Sequence, residues 1–490
     1  MAISFNLINQ GILTPGTFVE FDTTRAQQGP SLRPYRVLMV GPSLATGTMA
    51  GGSFKQITSA SQAREFYGPG SILAGMARTY LTENKINELW CYNVRDAADS
   101  VKATGTIIFS GKATAPGVIE YTFNGVRVSY GVDTDETAAL VAKGFTDAIN
   151  ANVDLEITAT VSTATVTITA KNAGEAANGS RMARTETLYP PGITSTFVGL
   201  GSGNRGGTNG AKNPAGFDAI GVIGEERFDL ICNPFIDTGN MLKWIAELED
   251  RWGPLRQNDG HMITGFEGLF SQVRDFADTL NSEHITVIDS IGVDGANKWM
   301  SNLTAVLARE LQNDPARPLQ SVPLRAITPP PTSAERSQGE RNTLLGKGIT
   351  TVRTGPGGVV LERVRTTKKT NAFGEADLSL ADLNTKATLS YIRYDFRTRF
   401  VGKFARHKLA NDGTRFGPGQ SVLTPRTAKA EIVSMFADWE ELGLVEGATQ
   451  FENDLIVERN ATDPNRLDIQ MPPDLINQLR VGAAQIQFLL

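Results

Sequence analysis

The residues best placed to do chemistry are cations and aromatics, and what they offer is recognition rather than bond making. Between Tyr391 and Lys408 the chain reads YIRYDFRTRFVGKFARHK. Arg393, Arg397, Arg399, Lys403, Arg406 and Lys408 are interleaved with Tyr391, Tyr394, Phe396, Phe400 and Phe404. The three phenylalanines are four apart, so a helix stacks them into one apolar stripe with positive charge to either side. Turn residues at Asn411–Gly413 and Gly417–Gly419 stop that helix. Residues 341–430 carry 17 Lys+Arg against 6 Asp+Glu, a net +11, while the whole chain carries 47 against 52, a net −5. The rest of the chain therefore holds 30 cations and 46 acids, a net −16. An acidic protein that gathers positive charge in one segment is expected to meet an acidic partner there, protein or nucleic acid.

Bond-making chemistry finds little support. IDTGN (Ile236–Asn240) resembles the aspartate motif of subtilisin-like proteases. Such a site also needs a histidine to take the nucleophile's proton, and a serine. Of the three histidines, His261 and His284 sit at strand starts and His407 in the basic helix, and no nucleophile turn accompanies them. Asp237 reads better as a helix N-cap. GSGNRG (Gly201–Gly206) fits the dinucleotide pattern, but more Gly and Asn follow it where a helix is required. LLGKG lacks the Ser or Thr and the first Gly of a phosphate loop. No cysteine–histidine cluster has zinc spacing, and no calcium loop is present. The expectation is a protein that is not an enzyme and uses no cofactor or metal.

The elements that must position the basic segment follow from length and patterning. A chain of 490 residues exceeds one core, so two to four domains are expected. Forty-nine glycines predict many turns and short strands. Cys91 and Cys232 lie in apolar runs and read as reduced, buried thiols. No apolar run reaches 18 residues, so no membrane insertion is expected, and MAISFNLINQG lacks the basic start of a signal peptide. Residues 1–30 read as an arm whose strand, TPGTFVEFD, needs a sheet edge from elsewhere. Residues 31–100 begin an α/β core with strands RVLMVG and ELWCYNV and two helices headed by Ser59 and Ser71. Residues 101–205 alternate at period 2 around one helix whose apolar face is Ala138, Leu140, Val141, Phe145 and Ile149, so a small β-rich domain is inserted there. Residues 206–340 return to strand–helix alternation and imply a parallel sheet. In the helix Asn240–Trp252 the expected core face is Leu242, Ile245, Leu248 and Trp252. Residues 341–473, starting with a hairpin around GPGG, read as an α+β C-terminal domain. Residues 474–490 end in RVGAAQIQFLL, a second strand without an evident partner.

Several of these strings resemble one family. TPGTFVEFD is similar to the start of contractile phage tail sheath proteins. YDFRTRFVGKFARHKLANDG, VLTPRTAKAEIVSMFADWEELGLVE and LRVGAAQIQF are similar, in order, to the C-terminal half of Mu-like sheaths. The resemblance implies a subtilisin-like α/β domain without catalysis over about 210–335, with the β-rich insert where sheaths vary most. It implies a virion tail component, assembled in the host cytoplasm, that stacks with itself as hexameric rings around a tail tube protein and contracts without nucleotide. Baseplate and tail terminator proteins are further implied partners. The terminal arms, Thr17, Phe18, Val19, Glu20 and Phe21 at one end and Val481, Ala484, Ile486 and Phe488 at the other, are implied to exchange strands between subunits. The basic residues Arg393, Arg397, Arg399, Lys403, Arg406, Lys408, Arg426 and Lys429 are then expected to face the tube or a neighbouring subunit. An insert on the outer surface is expected to be dispensable for assembly. The alternative is a nucleic-acid-binding protein using residues 391–408, with steep salt dependence. The acidic whole and the lack of a groove-reading motif weigh against it.

Overall fold

The computed structural model describes residues 34–185, 189–200 and 206–489. The α/β part opens with β1 (Arg36–Ser43), β2 (Phe54–Ile57), α1 (Ala60–Tyr67), α2 (Ile72–Glu83) and β3 (Glu88–Arg95). The insert follows: β4 (Thr104–Gly111), β5 (Gly117–Phe123), β6 (Val126–Val132), α3 (Ala138–Ala151), β7 (Ile157–Ser162), β8 (Thr165–Ala170), β9 (Met182–Thr185) and β10 (Ile193–Val198). The α/β part resumes with α4 (Ala219–Ile223), β11 (Leu230–Cys232), α5 (Thr238–Trp252), β12 (His261–Phe266), α6 (Phe270–Asp278), β13 (Ile285–Asp289), α7 (Ala296–Asn313), α8 (Gln338–Gly346), β14 (Ile349–Gly355) and β15 (Gly358–Arg363). The C-terminal part is α9 (Leu383–Phe404), β16 (Lys408–Leu409), β17 (Val422–Leu423), α10 (Pro425–Glu441), β18 (Val445–Glu446), α11 (Ala448–Asp454), β19 (Ile456–Arg459), β20 (Leu467–Gln470) and β21 (Asp474–Leu475).

The host sheet runs β15-β14-β13-β12-β11-β1-β3-β2. Its six inner strands are parallel and the two edge strands antiparallel. Seven of the eight residues of β1 are buried, as expected for a strand covered on both faces. Ser59 and Ser71 do cap α1 and α2, accepting from the backbone N–H of Gln62 and Ala74. The hairpin that the sequence groups with the C-terminal segment joins this sheet instead, because β14 pairs in parallel with β13. Two helix faces also differ from expectation. On α5, Met241, Trp244, Leu248 and Arg251 are buried while Leu242 is exposed. Arg251 is accepted inside because Glu247 at 2.6 Å and the carbonyl of Glu226 at 2.9 Å pair its guanidinium. On α3, Leu140 likewise points to solvent.

The insert holds two antiparallel sheets, β10-β4-β8-β7 and β6-β5-β9, around Phe109, Tyr121 and Phe145. Asn124 and Gly125 join β5 to β6 with φ of 48° and 76°, the two positive values a type I′ hairpin turn requires. Its neck is closed by bridges Val101↔Ala211 and Thr104↔Thr208. The insert is seated on the carboxyl end of the parallel sheet. Asn172 accepts from the N–H of Ile72 at the start of α2 (3.0 Å) and donates to Asp96 (3.0 Å) and to the carbonyl of Ser43 (3.3 Å). Asn297 at the start of α7 donates to the carbonyl of Ala176 (3.1 Å). In open α/β sheets that end, beside the first strand, is where ligands usually bind; here residues of the insert cover part of it.

The C-terminal part packs α9 against α10 and the β19–β20 hairpin. Thr424 caps α10 and Pro425 takes its first position. Ile392, Ile432, Met435, Phe436, Trp439 and Phe451 form a second core. Phe396 stacks on Phe400 with centroids 5.2 Å apart, and Phe400 meets Phe404 edge to face at 5.0 Å, which is the apolar stripe expected. The helix starts earlier than the basic run and ends at Phe404, so Arg406 and Lys408 lie beyond it.

Candidate interaction surfaces

Parallel strands put the acid and the histidines of the hydrolase-like pattern at opposite ends of the sheet. Asp237 follows the carboxyl end of β11 and caps α5, accepting from the N–H of Asn240 at 3.0 Å. His261 and His284 stand at the amino ends of β12 and β13, fully buried. A hydrogen-bonded Asp–His pair cannot span the sheet between them. Residues 201–205 of the glycine-rich GSGNRG motif lie outside the described residues.

The eight predicted basic residues divide into two groups of four. Arg393 is turned inward: it donates to Asp259 (2.9 Å) and the carbonyl of Trp252 (2.7 Å) and lies 4.2 Å over the Trp252 ring. Arg399 pairs with Asp395 at 3.0 Å and with Asp438. Burial lowers its pKa, but the two carboxylates outweigh that and hold it above the ordinary arginine value. Lys403 pairs with Glu431, and Lys429 donates to the carbonyl of Leu455 at 2.9 Å. Arg397, Arg406, Lys408 and Arg426 are exposed. Among the described residues none of these four side chains has a carboxylate partner; Asp412 takes only the backbone N–H of Arg426, at 3.0 Å, and the Lys408 ammonium donates to Gln420, at 3.0 Å. Exposed Arg415 and Phe416 lie on the loop between β16 and β17. The surface is thus a patch of solvated cations around the end of α9 rather than the whole basic run.

The last regular pairing is the two-residue β18–β21 bridge. Gln478 then donates to the carbonyl of Ala316 (3.3 Å) and Arg480 pairs with Asp382 (2.8 Å). From Val481 to Leu489 every residue is exposed and none belongs to a strand, with Ile486 87% and Phe488 76% accessible. The N-terminal group, Thr17, Phe18, Val19, Glu20 and Phe21, lies outside the described residues.

Residues 209–367 match the phage tail sheath protein central domain, and residues 375–488 match the phage tail sheath protein C-terminal domain. The chain is also 37% identical over 495 residues to the Mu-like prophage FluMu tail sheath protein of Haemophilus influenzae, covering 100% of both. It belongs to the Mu-like phage tail sheath proteins. Solved sheath tail proteins from Desulfitobacterium hafniense and Listeria innocua align over 94% and 91% of this chain, and 100% and 93% of theirs, at 12% identity and a TM-score of 0.48. The family of this sheath protein is one of structural phage proteins.

Two contacts in the sheath protein went unforeseen. Asp395 sits among the arginines it serves, accepting from Arg399 and, at 2.7 Å, from the indole N–H of Trp439. Asp382 heads α9 and receives both nitrogens of Arg363 (2.8 and 2.9 Å) together with Arg480. Burial alone raises its pKa; Arg363, Arg480 and Arg365 outweigh burial and hold the carboxyl below the ordinary range. Arg399 is only four residues from Asp395, but spacing gives no warning of Trp439, 44 residues from Asp395, or of Arg363, 19 residues from Asp382.

Proposed function

We propose that this chain is the polymerising subunit of a contractile sheath. It stacks as hexameric rings around the tail tube, joined by strand exchange through its terminal arms, and contracts without nucleotide to drive the tube through the host envelope. The observation that carries this reading is the C-terminal segment. Ala484, Ile486 and Phe488 alternate with Gln485 and Gln487, the period of a half-buried strand, yet the segment stands in solvent. A strand of that kind gains its ladder bonds and side-chain pockets from another sheet edge. The α/β part acts as a subtilisin-like scaffold without catalysis. Arg397, Arg406, Lys408 and Arg426 meet acidic groups on the tube or an adjacent subunit. Exposed pairs are worth at most about 1 kcal/mol each, which suits contacts that must release. Tail terminator and baseplate proteins hold the two ends of the stack.

The test is negative-stain microscopy of the protein expressed alone. Hollow striated tubes are expected, and deletion of residues 481–490 should abolish them. A monodisperse monomer at high concentration overturns the proposal.

A further inference from the structure

Helix α9 enters the α/β layer with a lysine in its first turn. Lys386 is buried at the amino ends of β12 and β13. Its Nζ lies 2.9 Å from the carbonyl of Gly260, 3.4 Å from His261 Nδ1 and 2.6 Å from His284 Nδ1. Three acceptors meet the three N–H bonds of an ammonium. The ring of His261 has a defined tautomer: the Thr286 hydroxyl gives its proton to the carbonyl of Arg365 (2.9 Å), so it accepts from His261 Nε2 at 2.8 Å, leaving the Nδ1 lone pair for Lys386. The Trp252 ring lies 5.3 Å from Nζ and 6.0 Å from the His284 ring.

We propose that Lys386, His261 and His284 form a proton-sensitive clasp that holds α9 on the parallel sheet while both rings are neutral and releases it when they take up protons. A protonated ring loses its acceptor and sets a cation against Lys386. The charged groups that face the cluster are Asp259 ahead of β12, Glu283 ahead of β13, Lys368, which pairs with Glu283 at 3.2 Å, and Arg393 on α9 itself. Burial, then Lys386, holds His261 well below its ordinary pKa, and burial, then Lys386 and Lys368, takes His284 down to about 2. An exposed histidine titrates near about 6.5, so the released state binds protons more readily and docking weakens as pH falls below that value. Each ring shifts the opening equilibrium about thirtyfold between pH 7.5 and 5. Lys386, lowered by burial to about 7, acts in the same sense but mainly above the histidine window. Release reaches the root of the C-terminal arm, because Asp382, the α9 cap, is the residue that holds Arg480.

The experiment is hydrogen exchange of the full-length protein at pH 7.5 and 5, corrected for intrinsic rates. Amides of residues 383–392 are expected to open at least a hundredfold more at pH 5, while those of α3 in the insert stay unchanged. His284→Gln keeps an acceptor without titrating and should reduce the effect about thirtyfold; His261→Gln with His284→Gln should remove it. Equal protection at both pH values, an equal change in α3, or a double variant that keeps the full effect overturns the proposal. If the variants fail to fold, the two wild-type comparisons decide it.

Discussion

Reversing Arg397, Arg406, Lys408 and Arg426 to glutamate separates the cations that serve the fold from those left for a partner. None of the four side chains holds a carboxylate within the described chain, so folding stability should move by no more than about 0.5 kcal/mol per site. If each meets one acidic group in the assembly, the loss is up to about 1 kcal/mol apiece. Four together weaken subunit addition by about three orders of magnitude, before any repulsion. The comparison is Asp395→Ala. That change strips a partner from the buried Trp439 indole and from Arg399, an unsatisfied donor and a half-buried charge, and should cost about 2–4 kcal/mol of stability. Thermal melting of the unassembled subunit and pelleting onto purified tail tubes read the two effects separately. The quadruple variant should melt like wild type and fail to pellet; the Asp395 variant should melt early. A quadruple variant that assembles normally refutes the idea that this patch meets a partner, and one that melts early shows its cations to be internal supports.

The seat of the insert and its ionisation give two further tests. Asn172→Ala removes the side-chain acceptor for the first N–H of α2 and the link to Asp96, so it should destabilise the subunit by about 1–3 kcal/mol in urea titration. The same bonding means that clean excision of the insert should cost the host stability, whether or not assembly survives it. Glu156 faces α2 and accepts from Asn124 at 2.8 Å, and burial, opposed mainly by Arg78, pushes its carboxyl up to about 7. A raised carboxyl supports the fold in full only below its unfolded value near 4.3 and loses that support as pH rises through about 7. Glu156→Gln should therefore gain on wild type in melting temperature at pH 8.5 and not at pH 4.

What the sequence determined by itself is local and periodic. The apolar runs of β1 and β3, the serine caps of α1 and α2, the Asn124–Gly125 turn, the Thr424–Pro425 start of α10 and the phenylalanine stripe of α9 are all legible. Each depends on residues within a few positions of one another, so spacing carries the information. The charge excess of residues 341–430 is legible too, and so is the chain's membership among the sheath proteins. Tertiary structure decided which face of an element is covered and by what. Leu242 and Leu140 obey the helical period but face solvent, because burial depends on the neighbour that arrives and not on the stripe. Arg251 is inside because distant carbonyls reach it. The hairpin joins the host sheet through β13, some 60 residues back. Four of the eight basic residues are spent on internal partners up to 141 residues away. Lys386 meets two histidines more than 100 residues earlier. A side chain's charge is written in the sequence, whereas the partner that neutralises it is chosen only when the chain closes on itself.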